Sequence, residues 1–168
     1  MIKALSISSL NTMRFISALV IMNLLAFAKI PFPYVPLVLV NIGFIFWGVY
    51  FGKKMGALLA LSFLLEGVFF HVPIFAYAQI GLGFFFSPTC GYVISYILAA
   101  YCAGWIFEKT HSLSWAFLTS FLLILCMGSL ILSLWIGVKN AFWFGFVPFI
   151  IPDLIKSIIF MKLYQSIK

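Results

Sequence analysis

The stretch PFIIPDLIK, residues 148–156, sets a carboxylate and an ammonium three residues apart in otherwise apolar sequence. An ionised Asp153 can only accept hydrogen bonds and Lys156 can only donate them. Pro152 fits the first position of a helix, where its missing N–H is not needed. This predicts a helix starting at Pro152, with Asp153 in the first turn, where free N–H groups and the dipole favour an anion. Lys156 then lies on the same face. Such a pair is either a structural ion pair that caps a helix or a polar binding site. A second carboxylate, Glu66, falls in the middle of the apolar run LSFLLEGVFF, residues 61–70. It is read either as a carboxyl kept neutral or paired with a polar neighbour such as Asn23, or as a carrier of coupling protons. His71 follows five residues on and points elsewhere around a helix.

Other chemistry is missing from the pattern. The sequence contains no H-E-x-x-H, no paired-acid metal motif, no G-x-S-x-G elbow and no Walker motif, so neither an enzyme, a metal nor a cofactor is expected, and any ATP hydrolysis belongs to another chain. Cys90, Cys102 and Cys126 form no C-x-x-C pair and are read as buried, inert thiols.

The elements that must hold these residues follow from composition. The 168-residue chain is 65% hydrophobic and only 8% charged, where soluble domains carry about a quarter charged residues. An all-α integral membrane protein, one domain over residues 1–168, is the class that fits. In that setting a charge costs about 3 kcal/mol or more near the bilayer centre unless it is compensated, which sets a function for Asp153 and Lys156 level with a structural ion pair. The formal charge of +7 does not indicate nucleic acid, because the basic residues lie between apolar runs rather than along a stripe.

Charges, prolines and glycines divide the chain into six spans, at about 13–30, 36–51, 55–75, 91–107, 113–138 and 152–164. Lys3 and Arg14 precede an apolar run ending in AFAK, which mimics a cleaved signal peptide but is read as the first transmembrane helix. The prolines of PFPYVP (31–36) forbid regular helix after it. With a cytoplasmic N-terminus, Lys3, Arg14, Lys53, Lys54, Lys109, Lys162 and Lys168 lie inside, Lys29 and Lys139 lie outside, and Lys156 sits within span six. This bias places both termini in the cytoplasm of a multi-pass protein of the cell membrane. The outer connections AYAQIGLGFFFSPTC and KNAFWFGFVPFII are too apolar to face water, and are either lids over a pocket or interfacial anchors.

Three stretches carry a resemblance to a known family. VPFIIPDLIK (147–156) resembles the closing motif of BioY-type proteins, the biotin-binding S components of energy-coupling-factor (ECF) vitamin transporters. FAYAQIGLGFFFSPTCGY (75–92) is similar to the Gly-rich loop and G-P-T-G-G-Y element of that family. Pro88, Thr89, Gly91 and Tyr92 agree, while Ser87 and Cys90 replace glycines. VPLVLVNIGFIFWGVYFGKKMGAL (35–58) follows the pattern V-P-I-T-L-Q-T…G…G-x-x-x-G-A-L, with Val40 at the family's Gln and Asn41 beside it. The three occur in the family's order.

The resemblance implies a six-helix bundle that binds biotin with high affinity near the outer face and takes it up with a transmembrane coupling subunit and ATPase subunits. Asp153 would accept from the ureido N–H groups, and Lys156 would donate to the ureido carbonyl or to the carboxylate tail. Phe75, Tyr77 and Tyr92 are the candidate walls, Asn41, Gln79 and Thr89 the candidate hydrogen bonders, and Gly81 and Gly83 the sites of close backbone approach. S components often show small residues on the first helix that pack on the coupling subunit; here the stripe is Ala18, Met22 and Ala26. The rival function is a self-sufficient proton-coupled carrier that uses Glu66.

Overall fold

The computed structural model describes residues 2–167, with side chains from Asn11 onward, so the side chain of Lys3 and the whole of Lys168 lie outside the described residues. Six long helices run through this range: α1 (Ile2–Phe27), α2 (Val40–Phe51), α3 (Lys53–Phe69), α4 (Cys90–Thr110), α5 (Leu113–Ile136) and α6 (Val138–Ile167). Among them α4, α5 and α6 are long and apolar enough to cross a membrane. The twelve-residue α2 spans only about 18 Å at 1.5 Å per residue. The protein is a helical membrane protein, and its exterior agrees with that solvent. Leu24, Phe69, Leu130, Leu134 and Ile151 all stand exposed on helix surfaces, an apolar coat far larger than the few hundred Å² a soluble monomer shows.

Packing centres on α4, which touches α2, α3 and α5; α1 lies on α2 and α3, and α6 on α2 and α5. Glycines set the closest approach. A Cβ on Gly48 of α2 would lie 2.2 Å from the Ala100 carbonyl oxygen of α4, one on Gly56 of α3 would lie 2.4 Å from Gly48 Cα, and one on Gly104 of α4 would lie 2.4 Å from Lys53 N. Gly52 joins α2 to α3 by itself at φ +83°, a conformation that favours glycine. The G-x-x-x-G-A-L stretch is thus a backbone-to-backbone junction of three helices. At the same end Lys53 and Glu108 pair across α3 and α4 at 2.6 Å on the surface, where solvent screening leaves such a contact little weight in stability.

Several sequence expectations need correction. The first apolar run stops at Phe27 rather than residue 30; Lys29–Ile30 forms a short strand, β1, antiparallel to β2 (Leu37–Val38), with the proline turn between them. The third helix ends at Phe69 rather than residue 75. The largest change concerns α6, which begins at Val138 and runs through Pro152, so Pro152 is not at a helix start and Asp153 is not in a first turn. Residues 138–151 are therefore helix rather than an outer loop. A π-helical turn at Phe142–Phe146 precedes Pro148 and Pro152, and such local widening lets a membrane helix carry prolines that lack an N–H. On α1, Ala18, Met22 and Ala26 are buried inside the bundle, with Met22 seated against Gly43 of α2. That stripe offers no surface to a partner. Nor are the thiols alike: Cys90 is buried, but Cys126 is exposed.

Candidate functional site

Site geometry begins with Asp153, which is 0% exposed on α6. Its Oδ1 pairs with Lys156 Nζ and its Oδ2 accepts from Asn41 Nδ2 at 2.9 Å. Lys156, with a side chain 12% exposed, also donates 2.8 Å to the Val38 carbonyl and approaches Asn41 Oδ1 at 3.5 Å. Three side chains from α2 and α6 thus satisfy one another, as a buried charge requires. Within α6, Ser157 Oγ donates 2.7 Å back to the Asp153 carbonyl, so the turn beyond the carboxylate is tied down.

Asn41 carries this cluster to the edge of a cavity of about 50 Å³, walled by Lys29, Phe75, Tyr92, Tyr96 and Phe149 among others. Its volume is near that of one or two waters at about 30 Å³ each, whereas small-molecule pockets run to about 300–1,000 Å³. A ligand has to widen it. One wall is Phe75, in the connection between α3 and α4. Its ring stacks on Phe84 at 3.9 Å and fills the space over Gly67, where a Cβ would lie 2.3 Å from Phe75 Cζ. In the α3–α4 connection Phe75 lines the cavity and Phe84 is buried behind it, while Leu82 and Phe86 point outward, Phe86 being 78% exposed. Tyr92 forms the opposite wall. Its hydroxyl donates 2.7 Å to the Gly145 carbonyl in the π turn, and its ring lies where a Cβ on Gly128 would be, 2.1 Å from Cδ1.

Not every expected site residue is gathered here. Asn41, Asp153 and Lys156 cluster, and Asn41, Phe75 and Tyr92 line the cavity. Tyr77 is instead 56% exposed, and its hydroxyl donates 2.8 Å to the Phe32 carbonyl, lacing the α3–α4 connection to the proline turn. Thr89 is buried but engaged with Ser87 Oγ at 3.2 Å, off the cavity wall. Gln79 does not line the cavity, and its Oε1 is buried without a partner among the described residues. Gly81, at φ +69°, forms a turn whose N–H donates 2.9 Å to the Gly67 carbonyl. A Cβ on Gly83 would meet nothing within 4 Å, so no close approach requires that glycine. Gly83→Ala should therefore leave ligand affinity and Tm unchanged, within about 0.5 kcal/mol, in a binding and melting comparison with the parent chain.

Two wall residues escape a reading along the chain. Tyr96 follows Tyr92 by one helical turn, a spacing that places both on one face of α4; only the sequence match drew attention to the first. Lys29 reads as an ordinary loop cation, yet the β1–β2 hairpin folds it onto the cavity, where Nζ donates 3.0 Å to the Phe75 carbonyl. Burial lowers its pKa below that of a free lysine. Glu66 is not part of the wall: its Oε2 accepts from Asn23 Nδ2 at 2.8 Å, joining α3 to α1. His71 lies outside the wall as well, with φ +56° just beyond α3.

Comparison with known proteins gives a consistent result. The pattern of the BioY family matches residues 1–168. A biotin transporter BioY of Thermotoga maritima is 32% identical over 139 residues, covering 80% of this chain and 81% of the relative. A probable biotin transporter BioY of Pyrococcus horikoshii is 33% identical over 123 residues, covering 73% and 74%. In fold, the chain is similar to the crystal structure of an S-component for biotin from an ECF-type ABC transporter, with a TM-score of 0.78 at 20% identity over 94% of this chain and 92% of the other.

Proposed function

The chain belongs to the BioY family, and from that premise we propose that it binds biotin with high affinity and serves its uptake as the S component of an ECF transporter. The observation that carries this reading is the Asn41 carboxamide, which donates an N–H to Asp153 and turns its carbonyl toward Lys156. A ureido group presents the same adjacent N–H and C=O. Biotin entering at the Asn41 end would replace one such pattern by another, so the carboxylate and ammonium stay satisfied throughout. Phe75, Tyr92, Tyr96 and Phe149 would enclose the apolar bicycle once the cavity widens. In this reading Lys156 addresses the ureido carbonyl.

The chain acts as a transport subunit, not an enzyme, and needs no cofactor or metal. Its termini are assigned to the cytoplasm of the cell membrane on the bias of the basic residues. That puts the hairpin and the cavity at the outer side. A coupling subunit and ATPase subunits would be the partners, docked elsewhere than on the buried Ala18–Met22–Ala26 stripe.

Calorimetric titration of biotin into the purified chain, with riboflavin and thiamine as controls, tests the proposal. Saturable binding of biotin alone is expected. Glu66→Gln should bind biotin within about threefold of the parent, since a substitution away from the wall moves free energy by only about 0.5 kcal/mol. Absence of biotin binding by a folded parent chain would overturn the assignment, and a binding loss confined to Glu66→Gln would bring that carboxyl into the mechanism.

A further inference from the structure

If the pocket holds biotin, as proposed, then Asn41, Asp153 and Lys156 leave one group of the ligand without a partner: the carboxylate at the end of its valeryl chain. Lys156 is already engaged by Asp153, Asn41 and the Val38 carbonyl. Lys29 differs. The chain's three acidic residues are taken elsewhere, Asp153 by Lys156, Glu108 by Lys53 and Glu66 by Asn23. Lys29 Nζ donates to the Phe75 carbonyl, and an ammonium has three donors. Lys29 is thus a half-buried cation on the cavity wall with no carboxylate set against it among the described residues.

Its position is as informative as its charge. Lys29 and Val38 line both the inner cavity and an open crevice of about 450 Å³; Lys156 lines that crevice too but not the inner cavity, so Lys29 is the ammonium common to both. A ligand whose polar head meets Asn41 and whose flexible tail leads outward would pass the Lys29 ammonium on its way. We propose that Lys29 is the carboxylate-binding residue of the pocket, selecting for the anionic tail of biotin while Asp153 and Lys156 read the ureido head. The same ammonium can keep its bond to the Phe75 carbonyl when the tail arrives, so carboxylate binding would also hold the α3–α4 connection against the hairpin.

Biotin and biotinamide, which replaces the carboxylate by a neutral amide, separate the two ends of the ligand. Both are titrated into the parent chain, Lys29→Met and Lys29→Arg. The parent should prefer biotin by roughly 10- to 100-fold, the scale of a hydrogen bond to a charged group. Lys29→Met should erase the preference, so that biotin and the amide bind with one affinity, and a saturable amide titration shows that the variant is folded. Lys29→Arg should retain most of the preference. An undiminished preference in Lys29→Met, or no preference in the parent, overturns the assignment and leaves the biotin pocket standing. A parent chain that binds neither ligand removes the pocket reading and this one together.

Discussion

Asp153→Asn is expected to lower biotin affinity by about 100-fold, because a hydrogen bond to a charged group contributes roughly 1.5–3 kcal/mol and the upper end applies where the ammonium beside it also loses its counter-charge. The substitution keeps the shape of a side chain that is 0% exposed, so the loss is chemical rather than steric. An asparagine would present one carbonyl oxygen where the carboxylate now serves both Lys156 and Asn41. It would also leave the Lys156 ammonium with neutral acceptors alone, among them the Val38 carbonyl and Asn41 Oδ1, and no counter-charge. Breaking a buried pair by removing one partner commonly costs about 3–5 kcal/mol, and Tm should therefore fall as well.

That second effect makes a control necessary. The double variant Asp153→Asn, Lys156→Met removes the stranded charge and should recover Tm toward the parent value, since apolar replacements of a buried pair are often neutral or better. It should not recover biotin binding. If the double variant regained both, the pair would be a structural ion pair and the ligand would have to be read elsewhere on the cavity wall. Calorimetry for affinity and thermal unfolding in the same detergent report the two quantities separately.

Gly48→Ala should be the most destabilising single methyl that can be added to the α2–α4 contact. The new carbon would lie 2.2 Å from the Ala100 carbonyl oxygen and 2.9 Å from its carbon, both backbone atoms that no rotamer change can move. Overpacking of this kind costs about 1–3 kcal/mol and occasionally more, and the upper end is expected because Gly56 and Gly104 close on the same spot, with Gly104's Cβ position 2.6 Å from the Gly48 carbonyl. At about 2–4 °C per kcal/mol for a chain of this size, Tm should drop by roughly 6–12 °C. Gly83→Ala, with nothing within 4 Å, is the matched control. A Gly48→Ala variant that melts with the parent would mean that α2 and α4 can separate without loss, against the backbone contact at Ala100.

What the sequence determined by itself was the solvent and the local chemistry. A chain 65% hydrophobic and 8% charged cannot face water over most of its surface, and Asp153 and Lys156 three residues apart on a helix must meet wherever that helix starts. The spaced glycines were legible for a similar reason: only small residues let helix backbones touch. The tertiary structure alone decided which distant residues joined them. Asn41 reaches Asp153 across 112 residues and Lys29 meets the Phe75 carbonyl across 46. The family pattern pointed to Asn41 as a hydrogen bonder but not to its partner, and nothing around Lys29 announces its contact, because each depends on how α2, α6 and the β1–β2 hairpin pack. Helix α6 shows the limit of local rules most directly. Pro152 reads as a helix start, since in water the carbonyl it leaves unpaired and its ring strain are best relieved at an end. In an apolar environment ending the helix would strand several backbone groups, so the π turn at 142–146 accommodates the prolines and the helix continues. The same packing turns Ala18, Met22 and Ala26 inward and leaves Tyr77 and Gly83 off the cavity. Residue type says which side chains could form a pocket, and only the crossing of the helices selects those that do.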